Sequence, residues 1–267
     1  MRTDKEILEA VQKHHDSVSN YMERRGASVL MTSLVGSQNY GLANETRDID
    51  TYSFVLPSIT EMSELRDPIA TEYDLKDGKC CIKDMRAALN LLIKTNPNSI
   101  EWFCSDYMVF NPQYEDMLKK FTNKKNRKSF LYCDIIQMGN SCKGMSKQLK
   151  NRNMPVGKKY SHALRIREMW ESYLFGNTDI ILKFKNEFTR LEAAEAKRCT
   201  DETKNEEYQR KSDEIAAAIK YSVEALQKWD KLSSALEKQK ENRRFIYNLQ
   251  FLLFQKHLML QTAKVFG

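Results

Sequence analysis

The chain has 267 residues, 41% of them apolar and 30% charged, with 43 Lys and Arg against 36 Asp and Glu for a net charge of +7. That length can bury a substantial core in one large or two smaller domains. No apolar run approaches the length that spans a bilayer, the stretch from Met1 to Leu8 lacks the apolar core of a signal peptide, and the six cysteines show neither zinc spacing nor a disulfide framework, so reduced thiols in a cytoplasm are expected.

The positive balance favours a polyanionic partner. Residues 4 to 24 carry Ile7, Leu8, Val11, Val18, Tyr21 and Met22 at helical period, and Gly26 follows as a C-cap. The adjacent pair His14-His15 does not share a helix face, which argues against joint metal ligation. Ser28 to Val35 is apolar and rich in β-branched residues, the pattern of a buried strand. A second strand is expected over 48–56, stopped by Pro57. Ser58 and Glu61 have the spacing of a capping box. A hairpin follows, 69–75 with 80–83 around an Asp77-Gly78 turn, in which Asp77 serves the turn.

Helix 84–95 presents Met85, Ala88, Leu89, Leu92 and Ile93 on one face. A short helical turn from Ile100, an edge strand from Tyr107, and a helix opened by Pro112 complete the first part. The basic loop 123–128 marks a boundary between domains at 1–122 and 129–267. Beyond it, 129–150, 158–175, 178–198, 203–239 and 242–264 all read as helices. Glu187 to Lys240, dense in Glu, Lys, Arg and Ala, reads as a solvated helical hairpin. The last helix, rich in Leu and Phe, is expected to pack back on the core.

The chemistry concentrates in residues 35–50. Gly36 permits a sharp turn and close approach of a ligand to the backbone. Ser37 offers a hydroxyl, and the amides after it form a helix-start anion site. Asp48 and Asp50, at i and i+2 of a strand, point to one face. Side-by-side carboxylates in a cleft repel unless a cation lies between them, and Mg²⁺ with substrate phosphates is the usual solution. Arg47 beside them is a phosphate clamp or an offset for the acids. Lys159, His162 and Arg165 lie at i, i+3 and i+6 of one helix, where they grip phosphate or base, or else His162 and Arg165 satisfy buried acids.

Gly36-Ser37-Gln38-Asn39-Tyr40-Gly41-Leu42 and Arg47-Asp48-Ile49-Asp50 resemble the signature of the nucleotidyltransferase superfamily of the DNA polymerase beta type. The closer resemblance is to a bacterial and phage subgroup associated with RNA repair. Leu56-Pro57-Ser58, the run from Lys94 to Glu101, and the run from Lys159 to Arg165 extend it over roughly residues 28 to 176. The resemblance implies an α+β fold: a nucleotidyltransferase-like mixed sheet with flanking helices, then a helical domain closing the cleft. It implies that Asp48 and Asp50 hold Mg²⁺ or Mn²⁺, with an NTP as substrate. Gly36, Ser37, Gln38, Asn39 and Tyr40, with Arg47, Lys94, Lys159, His162 and Arg165, would bind the nucleotide. Lys94, Asn96 and Glu101 match family positions, with helix capping and a surface salt bridge as the plainer reading.

Two departures from the pattern stand out. Arg47 replaces a usual Ser, and the third carboxylate position holds Cys81, leaving Asp84 as the nearest acid to complete a catalytic set. The expected activity is transfer of a nucleoside monophosphate from an NTP to RNA or tRNA. The alternatives are a degenerate fold that binds nucleotide, RNA or a protein, and nucleotidylation of a protein hydroxyl.

Overall fold

The structure, a computed structural model, describes residues 2–43, 48–64, 66–177, 181–228 and 232–266. Helix α1 (Asp4–Glu23) starts at Thr3, whose side chain and that of Glu6 form a reciprocal capping box. Strands β1 (Ser28–Val35), β2 (Ile49–Leu56), β3 (Ala70–Leu75), β4 (Gly78–Asp84) and β5 (Met108–Phe110) form one mixed sheet in the order β3-β4-β2-β1-β5. Only the β2–β4 pairing is parallel, with Asp50 opposite Lys79 and Tyr52 opposite Cys81.

The two faces of the sheet differ because side chains alternate along each strand. One face takes α1. There His14 lies 2.9 Å from Thr51 Oγ1 and 3.0 Å from Asp77 Oδ1, and His15 lies 3.0 Å from Thr32 Oγ1. Both histidines are therefore satisfied core groups, tied to two different strands. The other face carries Asp50, Tyr52 and Phe54 towards the helices.

Those helices are α2 (Ile59–Ser63), α3 (Met85–Ile93), α4 (Pro97–Cys104), α5 (Glu115–Thr122), α6 (Arg127–Leu131), α7 (Ile135–Asn151), α8 (Val156–Leu174), α9 (Glu187–Arg198), α10 (Asn205–Gln227) and α11 (Leu232–Phe266). The expected α+β class, a mixed sheet followed by a helical region, is what the structure has. One apolar cluster runs from Leu30 in β1 to Leu253 in α11, crossing the basic loop at 123–128. Its large members, Phe54, Phe103, Tyr114, Phe130 and Trp170 among them, each stabilise the fold by roughly 1.5–3 kcal/mol on burial. Among the described residues no helix is long and apolar enough to cross a membrane.

Several helix boundaries differ from the sequence pattern for local reasons. The helix expected over 178–198 starts at Glu187, where the Asn186 side chain accepts from the Thr189 amide, while residues 178–180 lie outside the described residues. The expected break near 240 is absent. Asn242 stays helical and spends its side-chain amide on the carbonyl of Tyr132, 2.9 Å away. Helix α10 buries Tyr208, Ile215, Ile219 and Val223, so the charged stretch is a packed layer. The last helix does return to the core: His257 bridges the hydroxyl of Tyr114 at 2.8 Å and the carbonyl of Pro57 at 2.9 Å.

Candidate functional site

Strand β1 ends in a turn that the sequence builds from small and amide side chains. Gly36 has φ of +79°, a conformation that L side chains rarely adopt, and opens a 3₁₀ turn over Gly36–Gln38. Asn39 braces that turn by donating to the Leu34 carbonyl at 2.7 Å and accepting from Ser105 Oγ at 2.9 Å. Gly36 is expected to bind the nucleotide, but its N–H donates to Glu101 Oε1 at 2.6 Å. Glu101, on α4, is a buried acid rather than a surface one. Burial raises its pKa, opposed by Arg165 and the Gly36 amide. The Arg165 guanidinium lies over the Tyr40 ring at 4.3 Å. Burial opposes its charge, but Tyr40 and Glu101 hold its pKa above the ordinary value. Glu101, Tyr40 and Arg165 thus form a buried clamp behind the turn.

In front of the turn lies a cleft of about 190 Å³. Gly36, Ser37 and Asp50 line it from the sheet side, and Lys158, His162, Arg165 and Lys197 line it from α8 and α9. A Cβ built on Gly36 would sit 3.6 Å from Asp50 Oδ2, which shows how closely the aspartate approaches the turn. The two helices that carry the cations touch backbone to backbone. A Cβ on Gly157 would lie 2.2 Å from the Ala196 carbonyl oxygen, so only glycine lets Lys158 and Lys197 converge. His162 feels the result. Burial first, then the charges of Arg165, Lys158, Lys197 and Arg152, push its pKa down to about 3.

The expected trio from α8 needs one correction. Lys159 donates to the Lys150 carbonyl at 3.0 Å, away from the cleft, and Lys158 takes its place. At 3.6 residues per turn, position 158 lies within about 20° of 165, whereas 159 is about 120° away. Lys158 was therefore legible at i, i+4 and i+7 with His162 and Arg165. Lys197 sits in a charged helix with no local signal to single it out.

The remaining candidates fall elsewhere. Asp48 is exposed just before β2 and does not line the cleft. Arg47 lies outside the described residues. Lys94 is exposed at the end of α3, and Asn96 caps α4 through the Asn98 amide. Gln38, Asn39 and Tyr40 line a second cleft on the other side of the turn. Asp84 does not swing towards Asp50. It is buried at the far end of β4, opposite Val55, where it caps α3 and binds Arg86 at 2.6 Å. Cys81 occupies the strand position beside Tyr52, where burial raises its thiol pKa, so no carboxylate stands at this position.

A family model described as the RNA repair pathway DNA polymerase beta family, RlaP, matches residues 6–247. The chain belongs to this family. Comparison with curated proteins gives no match. Among solved structures, a nucleotidyltransferase-like protein from Exiguobacterium sibiricum is similar over 87% of this chain and 78% of its own, at 13% identity. Its TM-score of 0.29 is too low to support inference about the site. For a member of the RlaP family the donor set is sparse. Among the described residues no group of three or more His, Cys, Asp or Glu could hold a metal ion. One or two carboxylates suffice for Mg²⁺ that arrives with substrate phosphates. Asp50, in the cleft, fits that mode, while Asp48 stands just outside the cleft lining; the two do not fit a site that holds metal without substrate.

Proposed function

We propose that this RlaP-family protein transfers a nucleoside monophosphate from an NTP to an acceptor, with RNA or tRNA favoured. One observation carries the reading: Asp50 closes on the Gly36-Ser37 turn and shares a cleft with three cations, Lys158, Arg165 and Lys197, and the neutral ring of His162. Ser37 would donate its hydroxyl to the nucleotide's phosphates, and Lys158, Arg165 and Lys197 would neutralise their charge. Asp48 and Asp50 would hold Mg²⁺, which when bound offsets the charge that develops as the α-phosphate is attacked. Neutral His162 is placed to accept or donate a hydrogen bond without adding a further charge. The net charge of +7 suits a nucleic-acid acceptor, and the family description points to RNA repair.

The test is incubation of the protein with each α-labelled NTP, Mg²⁺ and an RNA or tRNA pool, beside the Asp48→Ala/Asp50→Ala variant. Label entering RNA with the parent protein only supports the reading. Label entering protein would move the acceptor to a Ser, Thr or Tyr hydroxyl. No transfer with any NTP would reject it and favour a second reading, a degenerate fold that binds nucleotide, RNA or a protein partner. A cysteine, Cys81, in place of the third carboxylate favours that second reading. Gain of transfer on Cys81→Asp would establish it.

A further inference from the structure

The turn that walls the first cleft also walls a larger one, of about 310 Å³, on its opposite side. The two linings share no residue. We propose that this second cleft binds another phosphate-bearing ligand of mononucleotide size, a free nucleotide or the terminal nucleotide of a polynucleotide.

Charge is the first argument. Arg2, Arg127, Lys183 and Arg190 line the cleft with two carboxylates, Asp4 and Asp106; Arg190 is already paired with Glu187 and donates to the Gly41 carbonyl at 2.9 Å, so the charge argument rests on the other three. Asp4 already accepts from the Tyr107 hydroxyl at 2.6 Å. Asp106 is shared among Lys183 at 3.2 Å, Arg127 at 3.4 Å and Lys124 at 3.5 Å. One carboxylate shared by three cations leaves a positive balance at this cleft, whose lining includes two of them, Arg127 and Lys183.

Unmet hydrogen-bonding capacity is the second. Arg127 is 3% exposed, and one of its terminal nitrogens donates to the Cys104 carbonyl at 2.9 Å. Its Nε is buried without a hydrogen-bond partner among the described residues, as is one terminal nitrogen of Arg2. A buried guanidinium donor left unmet is costly, and phosphate oxygens match its fork of donors. Tyr107, Leu182 and Phe184 supply an apolar and aromatic part of the same lining, suited to the face of a base. The volume lies at the lower end of the roughly 300–1,000 Å³ found for small-ligand sites.

Lys183 is the residue to change, because its side chain is 56% exposed and the fold does not depend on it. Calorimetric titrations of the four nucleoside monophosphates, and of short oligoribonucleotides with and without a 5′-phosphate, would be run in EDTA. The proteins are the parent chain, Lys183→Glu, Lys183→Gln and Lys158→Glu, each checked by thermal melt. We expect saturable binding that weakens about tenfold or more in both Lys183 variants and changes little in Lys158→Glu. Tighter binding of free monophosphates identifies a nucleotide as the occupant. Tighter binding of the oligoribonucleotide only when 5′-phosphorylated identifies a polynucleotide end. No binding at millimolar concentration, or binding that responds to Lys158→Glu and not to Lys183, overturns the proposal. The result does not depend on transfer activity, which the aspartate variant tests separately.

Discussion

His162 gives the sharpest physical test of the basic cleft. Its pKa is pushed down to about 3, from an ordinary 6.5, by burial and by the cations around it. The folded protein therefore holds a neutral ring where the unfolded chain takes up a proton, so stability present above pH 6.5 is lost as pH falls. Each unit in that window removes at most about 1.36 kcal/mol, and the loss between pH 7 and 5 is at most about 2 kcal/mol. For a chain of this size that is a fall in melting temperature of roughly 4–8 °C. Other groups also titrate, so the quantity to measure is the difference between the parent and His162→Gln, which lacks the proton uptake. The parent should lose stability faster below pH 6.5. In parallel, NMR titration of the ring with and without pyrophosphate should show the pKa rising when the anion screens Arg165, Lys158 and Lys197. A ligand-free His162 that titrates near 6.5, or a pKa that pyrophosphate does not move, would refute the convergence of charge on this cleft.

Two further variants probe how the site is held. Glu101→Ala leaves the Gly36 amide without its buried acceptor and removes the carboxyl group that offsets the charge of Arg165, and should cost about 1–3 kcal/mol in urea unfolding. A loss under about 1 kcal/mol would mean that the clamp is not formed. Gly157→Ala must separate α8 from α9, because its Cβ would lie 2.2 Å from the Ala196 oxygen. It should cost about 1–3 kcal/mol and weaken pyrophosphate binding measured by calorimetry; unchanged affinity would show that the spacing of Lys158 and Lys197 does not matter.

Local pattern carried much of the fold. Ser28–Val35 is the predicted strand, the Ser58–Glu61 capping box forms, and the Asp77-Gly78 turn joins β3 to β4. These features are written in neighbouring residues. The Gly36-Ser37 turn and Asp50 were legible as a unit for the same reason, since turn, loop and strand follow one another. What was not legible depends on distant packing. Nothing near Glu101 tells that it will reach the Gly36 amide 65 residues away. Nothing in α9 marks Lys197 as a partner for Lys158, because their meeting is decided by the backbone contact at Gly157. Asp84 misled because it follows a strand in the right place, yet its position on β4 turns it to the face that packs away from Asp50 and into the cap of α3.

The contact of His257 with Tyr114 and the Pro57 carbonyl spans 200 residues between its ends. Its consequence is temporal. During synthesis the sheet's strands are all made long before α11 emerges, and until then the exit of β2 lacks its buried partner. A chain halted ahead of residue 257 would present that end of the sheet open to solvent. Such a nascent chain is a substrate for chaperones or proteases, and premature stops well downstream of both clefts should remove the protein from the cell as effectively as damage to either.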